Sequence, residues 1–239
     1  MLDKAAALLD AFHPAGGSFR LTELAAQAGL SKTTAFRLAG DLVRLGFLER
    51  TGQRYRLGGK LFELGTLVPR RLDLRQTALP FLHDLFESTR QTVHFGVRDG
   101  GEIVYLERIH GHDPLLLPSR IGGRLPLTCT AIGKALLAFS DQEATESLLA
   151  EPLPQLTRYS ITDPLSLRTA LEQTQVSGLA YEDQEAVLGV SCLAAPVFAG
   201  PVAVAALSVA VPREQFRPAH LAPAVRTAAL GLSRTLRAG

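Results

Sequence analysis

The chain has no tryptophan, a single methionine and two cysteines among 239 residues, and aromatic residues make up 6% of it. Cys129 and Cys192 are too few for a disulfide framework, and without a Cys-x-x-Cys pair they do not form a zinc ribbon. No apolar run reaches the roughly 18 residues that a membrane helix needs. The longest, residues 202–211 (VAVAALSVAV), is strand-length and interrupted by a serine. The opening MLDKAAALLDAF lacks the basic head and small-residue cleavage site of an export signal, so the cytoplasm is the expected compartment and no membrane partner is expected. Also missing are the GxSxG, HExxH and GxGxxG patterns. Gly122-Gly123-Arg124 and Gly133-Lys134 lack the spacing of a phosphate loop, and Gly133-Lys134 reads as a helix position with a solvated lysine. His110 and His112 form a candidate metal pair with no third ligand at suitable spacing, so no metal and no other cofactor is expected.

What remains is an ordinary globular balance, 46% hydrophobic and 20% charged, enough for one large domain or two modest ones. The net charge of +2 is unevenly placed. Residues 20–60 hold eight basic side chains against three acidic ones, a local +5 that leaves −3 for the rest. A basic patch on a near-neutral chain suits a nucleic-acid-facing module joined to something else.

The pattern inside that patch is specific. Leu2, Ala5, Leu9 and Phe12 recur at helical spacing over residues 3–12, and residues 13–17 form a loop. Thr22 is a candidate cap for a helix over residues 23–28, and Gly29 suits a sharp turn. Ser31 caps a third helix to about Leu45, with Ala35, Leu38, Leu42 and Leu45 as its apolar stripe. Lys32, Thr33, Thr34, Phe36 and Arg37 crowd its first turns, where a recognition helix reaches base edges. Threonine can touch a thymine methyl and arginine can fork onto guanine. Phe36 is either core on a second face or a thymine-methyl contact. Ser31 and the adjacent amides suit a phosphate. Residues 47–57 read as a hairpin, with Tyr55 and Leu57 on one face and Arg54 and Arg56 pointing outward toward phosphate or minor groove. The whole is a winged helix-turn-helix, whose partner is double-stranded DNA.

Beyond it, Leu61, Leu64 and Leu67 predict a short helix stopping at Pro69, then a helix over residues 72–89 that Pro80 should bend or break. Residues 92–98, 102–109, 115–119, 189–198 and 202–211 are strand-like; residues 130–139, 142–149, 165–176 and 219–236 are helical. Without regular β-α-β alternation, this favours a mixed α/β domain of the α+β kind with an antiparallel sheet. The expected division is 1–68 and 69–239.

Three segments carry a family resemblance. Residues 124–138 (RLPLTCTAIGKALLA), 189–198 (GVSCLAAPVF) and 30–38 (LSKTTAFRL) resemble those of IclR-type bacterial transcription regulators, as do the wing exit at Tyr55-Arg-Leu-Gly58 and the order of modules. The resemblance implies a winged helix-turn-helix, a linker helix and a GAF-like effector domain. It also implies a homo-oligomer, dimer or tetramer, that binds an operator under control of a small-molecule effector, often a carboxylate or aromatic acid. Carried over by motif, Ala131 and Ile132 present amides at a helix start, Glu182 stands where an acidic residue commonly sits, and Cys192 and Ser208 line facing strands. Ala210 replaces a serine often found in relatives, and Glu182 is longer than the usual aspartate. Both departures point from a small keto-acid toward a larger, partly apolar ligand. An ionised Glu182 would repel an anion, so it should be protonated, accept from a ligand hydroxyl, or point away.

Two other functions compete: a GAF-like thiol enzyme using an exposed cysteine, and an architectural DNA binder with a ligand-free second domain. No residue motif assigns a catalytic group, and the expected function is a regulator, not an enzyme.

Overall fold

The structure, a computed structural model, describes residues 1–13, 17–112 and 115–238, and only the backbone of residues 69–72. The expected loop at 13–17 therefore lies partly outside the described residues. The chain divides into two compact units, Met1–Leu72 and a second beginning at Asp73.

The first unit contains α1 (Leu2–Asp10), β1 (Phe19–Arg20), α2 (Leu21–Gln27), α3 (Lys32–Arg44), β2 (Leu48–Thr51), β3 (Arg54–Leu57) and α4 (Gly59–Gly65). Its antiparallel sheet has the order β1-β3-β2. Leu8, Phe12, Leu24, Ala35, Ala39, Leu42, Leu48 and Tyr55 form one core. α2 starts before Thr22, because the Arg20 amide donates to Glu23 Oε2 at 2.6 Å and so closes the first turn one residue ahead of Leu21. Gly29 makes the α2–α3 turn at φ +62°, a left-handed conformation that favours glycine. The α3 stripe holds at Ala35, Leu38 and Leu42 but not at Leu45, which follows the last helical residue and is exposed. Tyr55 is buried as expected, while Leu57, at the hairpin's end, is half exposed.

The second unit contains most of α5 (Pro69–Thr89), then β4 (Thr92–Asp99), β5 (Glu102–Ile109), β6 (Arg124–Pro126), α6 (Ala131–Leu137), α7 (Gln142–Leu149), α8 (Pro164–Ser177), β7 (Ala180–Asp183), β8 (Val190–Ala199), β9 (Val202–Pro212) and α9 (Pro218–Ala238). Its six strands are antiparallel in the order β6-β5-β4-β9-β8-β7. Pro69 opens a helix instead of stopping one, as suits a residue with no amide to satisfy. Pro80 does not break α5; Ala78, Leu82 and Leu85 on either side of it are buried, and that packing outweighs one lost hydrogen bond. Residues 115–119 form no strand. Among the described residues no helix is long and apolar enough to cross a membrane.

Alternation along the central strands sorts the domain into two layers. Val93, Phe95, Leu193, Val197, Leu207 and Val209 pack under α5 and α9. The intervening positions are smaller: Gly96, Ala194, Ala206, Ser208 and Ala210. α6 lies on this second face with Tyr105, Ala180 and Leu167. The small floor admits α6 closely, and Ile132 sits 3.5 Å from where a Cβ on Gly96 would be. Gly133 is obligatory in a similar way, since a Cβ there would lie 2.0 Å from the Leu127 carbonyl oxygen.

Candidate functional site

At the start of α3, the Ser31 hydroxyl accepts from the Thr34 amide at 3.3 Å and lies 2.9 Å from the Thr34 hydroxyl. These two residues satisfy each other as a cap. Lys32, Thr33, Phe36 and Arg37 are left exposed, and no ion pair holds Lys32 or Arg37 among the described residues. Phe36 is 58% exposed, which removes it from the core and leaves an apolar ring on the helix face that also carries Arg37.

The wing arginines both point outward but each has a tether. Arg54 Nη1 donates to the Ser18 carbonyl at 2.6 Å, and Arg56 pairs with Glu49 at 2.6 Å. The Arg56 guanidinium holds the Glu49 carboxyl below its ordinary range. Arg50, not singled out by the sequence pattern, stacks over the Tyr55 ring at 5.6 Å. Glu49→Gln should therefore free Arg56. The expected result is a few-fold gain in affinity for any duplex and a log K versus log salt slope steeper by about one, read by fluorescence anisotropy across salt.

In the second unit Ala131, Ile132, Glu182, Cys192 and Ser208 all line one cavity. The register explains how: Glu182 pairs with Cys192 across β7–β8, and Ser208 lies between Ala194 and His94. The Thr130 hydroxyl accepts from the Gly133 amide at 3.0 Å and its carbonyl from the Lys134 amide, so the Ala131 and Ile132 amides are first-turn donors without helical acceptors. Sequence reasoning missed His94, Tyr105, Ser119 and Thr130, which add polar groups to a wall otherwise closed by apolar side chains such as Leu117, Leu125 and Val190. His94 falls on the same strand face as Ser208, which the motif had marked, but nothing else in the sequence sets a lone strand histidine apart. The free volume is about 30 Å³, room for a water or two but not for an organic ligand. A wider open groove of about 490 Å³ lies against the β4–β5 turn and α7, with no buried ionisable side chain in its lining.

Glu182 is 2% exposed. Its Oε1 accepts from the amides of Glu185 (2.5 Å) and Ala186 (3.1 Å), and its carboxyl from the Cys192 thiol. Burial still dominates and raises its pKa to about 7. Burial and the Glu182 carboxyl push the Cys192 thiol well up, and burial raises Cys129, whose sulfur donates to the Pro154 carbonyl. Both thiols are held away from the nucleophilic thiolate form. Lys134 is not solvated: it is buried and meets the buried Glu185 at 2.6 Å. Four methylenes of stem carry its charge across α6 to the loop after β7. His94 Nε2 lies 2.8 Å from the Ser119 hydroxyl, and burial, Arg108 and His110 lower its pKa to about 3. Burial raises Tyr105. Among the described residues no three His, Cys, Asp or Glu side chains are grouped to hold a metal ion.

A winged helix-turn-helix with an exposed recognition face, followed by an antiparallel domain around a small cavity lined by buried polar and apolar side chains, defines a DNA-binding regulator with a sensory domain. Residues 1–52 match the IclR helix-turn-helix domain and residues 66–234 match the bacterial transcriptional regulator IclR C-terminal domain. The chain belongs to the IclR family, and it is a transcriptional regulator with an N-terminal DNA-binding domain and a C-terminal effector domain. It is 36% identical over 242 residues to the HTH-type transcriptional regulator XynR of Escherichia coli K12, covering 98% of this chain and 96% of that one. Among solved structures it is similar to an IclR homolog from Microbacterium hydrocarbonoxydans complexed with 4-hydroxybenzoate. That likeness has a TM-score of 0.90 and 29% identity, covering 100% and 99% of the two chains. It is also similar to Thermotoga maritima IclR, with a TM-score of 0.79, 30% identity and coverage of 99% and 98%.

Proposed function

We propose that residues 1–68 place α3 in the major groove of an operator while residues 69–239 bind the effector and hold a homo-oligomer together, as a dimer or tetramer. Lys32, Thr33, Phe36 and Arg37 meet base edges, Ser31 and Thr34 fix the helix start beside a phosphate, and Arg54 and Arg56 track the backbone. The effector is a carboxylate or aromatic acid. Ala131 and Ile132 offer amides to its carboxylate, with Glu182, Cys192 and Ser208 around it. Glu182, raised to about 7, is half protonated at neutral pH, and its protonated form removes the repulsion that an anion would otherwise meet. The 4-hydroxybenzoate held by the Microbacterium relative belongs to this ligand class. This reading includes no catalytic step, in keeping with two thiols whose pKa values are raised and with relatives named as regulators.

The observation that carries the DNA assignment is the exposed Lys32, Thr33, Phe36 and Arg37 at the start of a helix whose opposite stripe, Ala35, Leu38, Ala39 and Leu42, is buried. Arg37→Ala should cost about 1–3 kcal/mol on the operator and little on random duplex. Arg54→Ala should weaken both alike and reduce the salt slope by about one. Footprinting titrations on an operator and a scrambled duplex check this, and an unaltered footprint for both variants removes the placement.

A further inference from the structure

His94 has no role in any of the motifs that define the acid site, yet it is 4% exposed and faces the cavity. It sits opposite Ser208 in the β4–β9 register, and its ring lies 5.2 Å from that of Tyr105. Among the described residues its Nε2 meets one group, the Ser119 hydroxyl at 2.8 Å. Ser119 in turn is the one buried residue of segment 115–120, whose other side chains are half-buried or exposed. Two contacts pin it there: His94, and the Arg108 guanidinium donating to its carbonyl. No backbone ladder holds residues 115–119 among the described residues.

We propose that His94 and Ser119 are the specificity-determining pair that reads a neutral hydroxyl on the effector, which makes the effector class a hydroxy-substituted aromatic acid. This rests on the acid-binding reading above and extends it to the second polar group of the ligand. The choice of His94 over Glu182 follows from what each already holds. Glu182 Oε1 accepts two backbone amides and its carboxyl the Cys192 thiol, so its capacity is largely taken. The imidazole, held neutral by burial, has one donor and one acceptor nitrogen, and the serine hydroxyl it meets can rotate. A phenol both donates and accepts, and so bonds to both members of such a pair. Room comes from the same place. A benzene-sized ring occupies a cavity of about 150 Å³, against the 30 Å³ found here. Withdrawal of residues 115–119 needs the Ser119 contacts to yield and meets no backbone–backbone hydrogen bond among the described residues, whereas the rest of the wall belongs to strands, to α6 or to the bonded loop after β7.

The test is calorimetric titration of the full chain with two probes, 4-hydroxybenzoate and benzoate, on the wild type and on His94→Leu, Ser119→Ala and Glu182→Gln. The wild type should prefer 4-hydroxybenzoate by about tenfold or more, since a site built to bond a hydroxyl leaves polar groups unpaired without it. His94→Leu and Ser119→Ala should each cut that preference to about threefold or less, mainly by weakening 4-hydroxybenzoate. Ser119→Ala keeps the Arg108 contact to the backbone and changes one oxygen, so it decides the matter if His94→Leu folds poorly. A wild type that binds both acids equally, or a preference that survives Ser119→Ala but disappears in Glu182→Gln, overturns the assignment while leaving the acid site standing. Binding of neither acid overturns both.

Discussion

Replacing Lys134 by methionine is expected to lower the melting temperature of the effector domain by roughly 10 °C. The lysine and Glu185 are both buried and 2.6 Å apart. Removing one member of such a pair leaves an uncompensated charge and costs about 3–5 kcal/mol, and a domain of this size loses about 2–4 °C per kcal/mol. Glu185 is badly placed to bear the loss. Its Oε2 already lacks a hydrogen-bond partner, and its backbone is fixed, with the amide given to Glu182 and the carbonyl to the Ser160 hydroxyl. The loop cannot swing the carboxylate to water without breaking those bonds and the Thr157 hydroxyl's bond to the Gln184 carbonyl. The double variant Lys134→Met, Glu185→Gln should recover most of the stability, because it removes both charges. Urea and thermal denaturation of the single and double variants read this directly. A single variant that melts with the wild type would show that the pair contributes nothing.

Glu182→Gln should act in the opposite direction and should depend on pH. The folded-state pKa of Glu182 is about 7, against an ordinary value of 4.5. The native state thus binds the proton more tightly than the unfolded chain. The stability that this proton contributes is fully present below pH 4.5 and is lost as the pH rises through 7. The difference corresponds to about 3 kcal/mol. Glutamine keeps an acceptor for the amides of Glu185 and Ala186 and carries no charge. The variant should be more stable than the wild type by about 2–3 kcal/mol at pH 8, equal to it near pH 4.5, and flat between. Denaturation curves at half-unit pH steps check the slope, and parallel slopes for the two proteins would place the titrating group elsewhere.

The DNA-binding module was legible because its signals are local. A capping serine, a glycine turn, a 3.6-residue stripe and a short hairpin each sit within a few positions of one another, and α3 and the wing follow them. Where local reading went astray, a partner distant in sequence had decided the matter. Lys134 looks like a surface lysine until Glu185, 51 positions on, is folded against it. Thr22 looks like a cap until Glu23 is seen turned back to Arg20. Segment 115–119 has strand composition but finds no strand to pair with, since β6 takes the edge beside β5 instead. The short strands β6 and β7, with three and four residues, carry too little alternation to register, yet β7 delivers Glu182. In the cavity the motif-bearing residues were visible as a family pattern. His94 and Ser119 were not, because a lone histidine in a strand and a serine in a loop look the same whether they face a ligand or solvent.

The two-layer strands have an evolutionary corollary. Bulky residues support α5 and α9 from one side while alanine and glycine seat α6 on the other, so the volume available to a metabolite is set on the face away from α5 and α9. Single exchanges at Cys192 or Ser208, which line the chamber, reshape it and leave the packing under α5 and α9 untouched. Descendants of such a scaffold can change the compound they respond to in small steps and keep the machinery that addresses the genome.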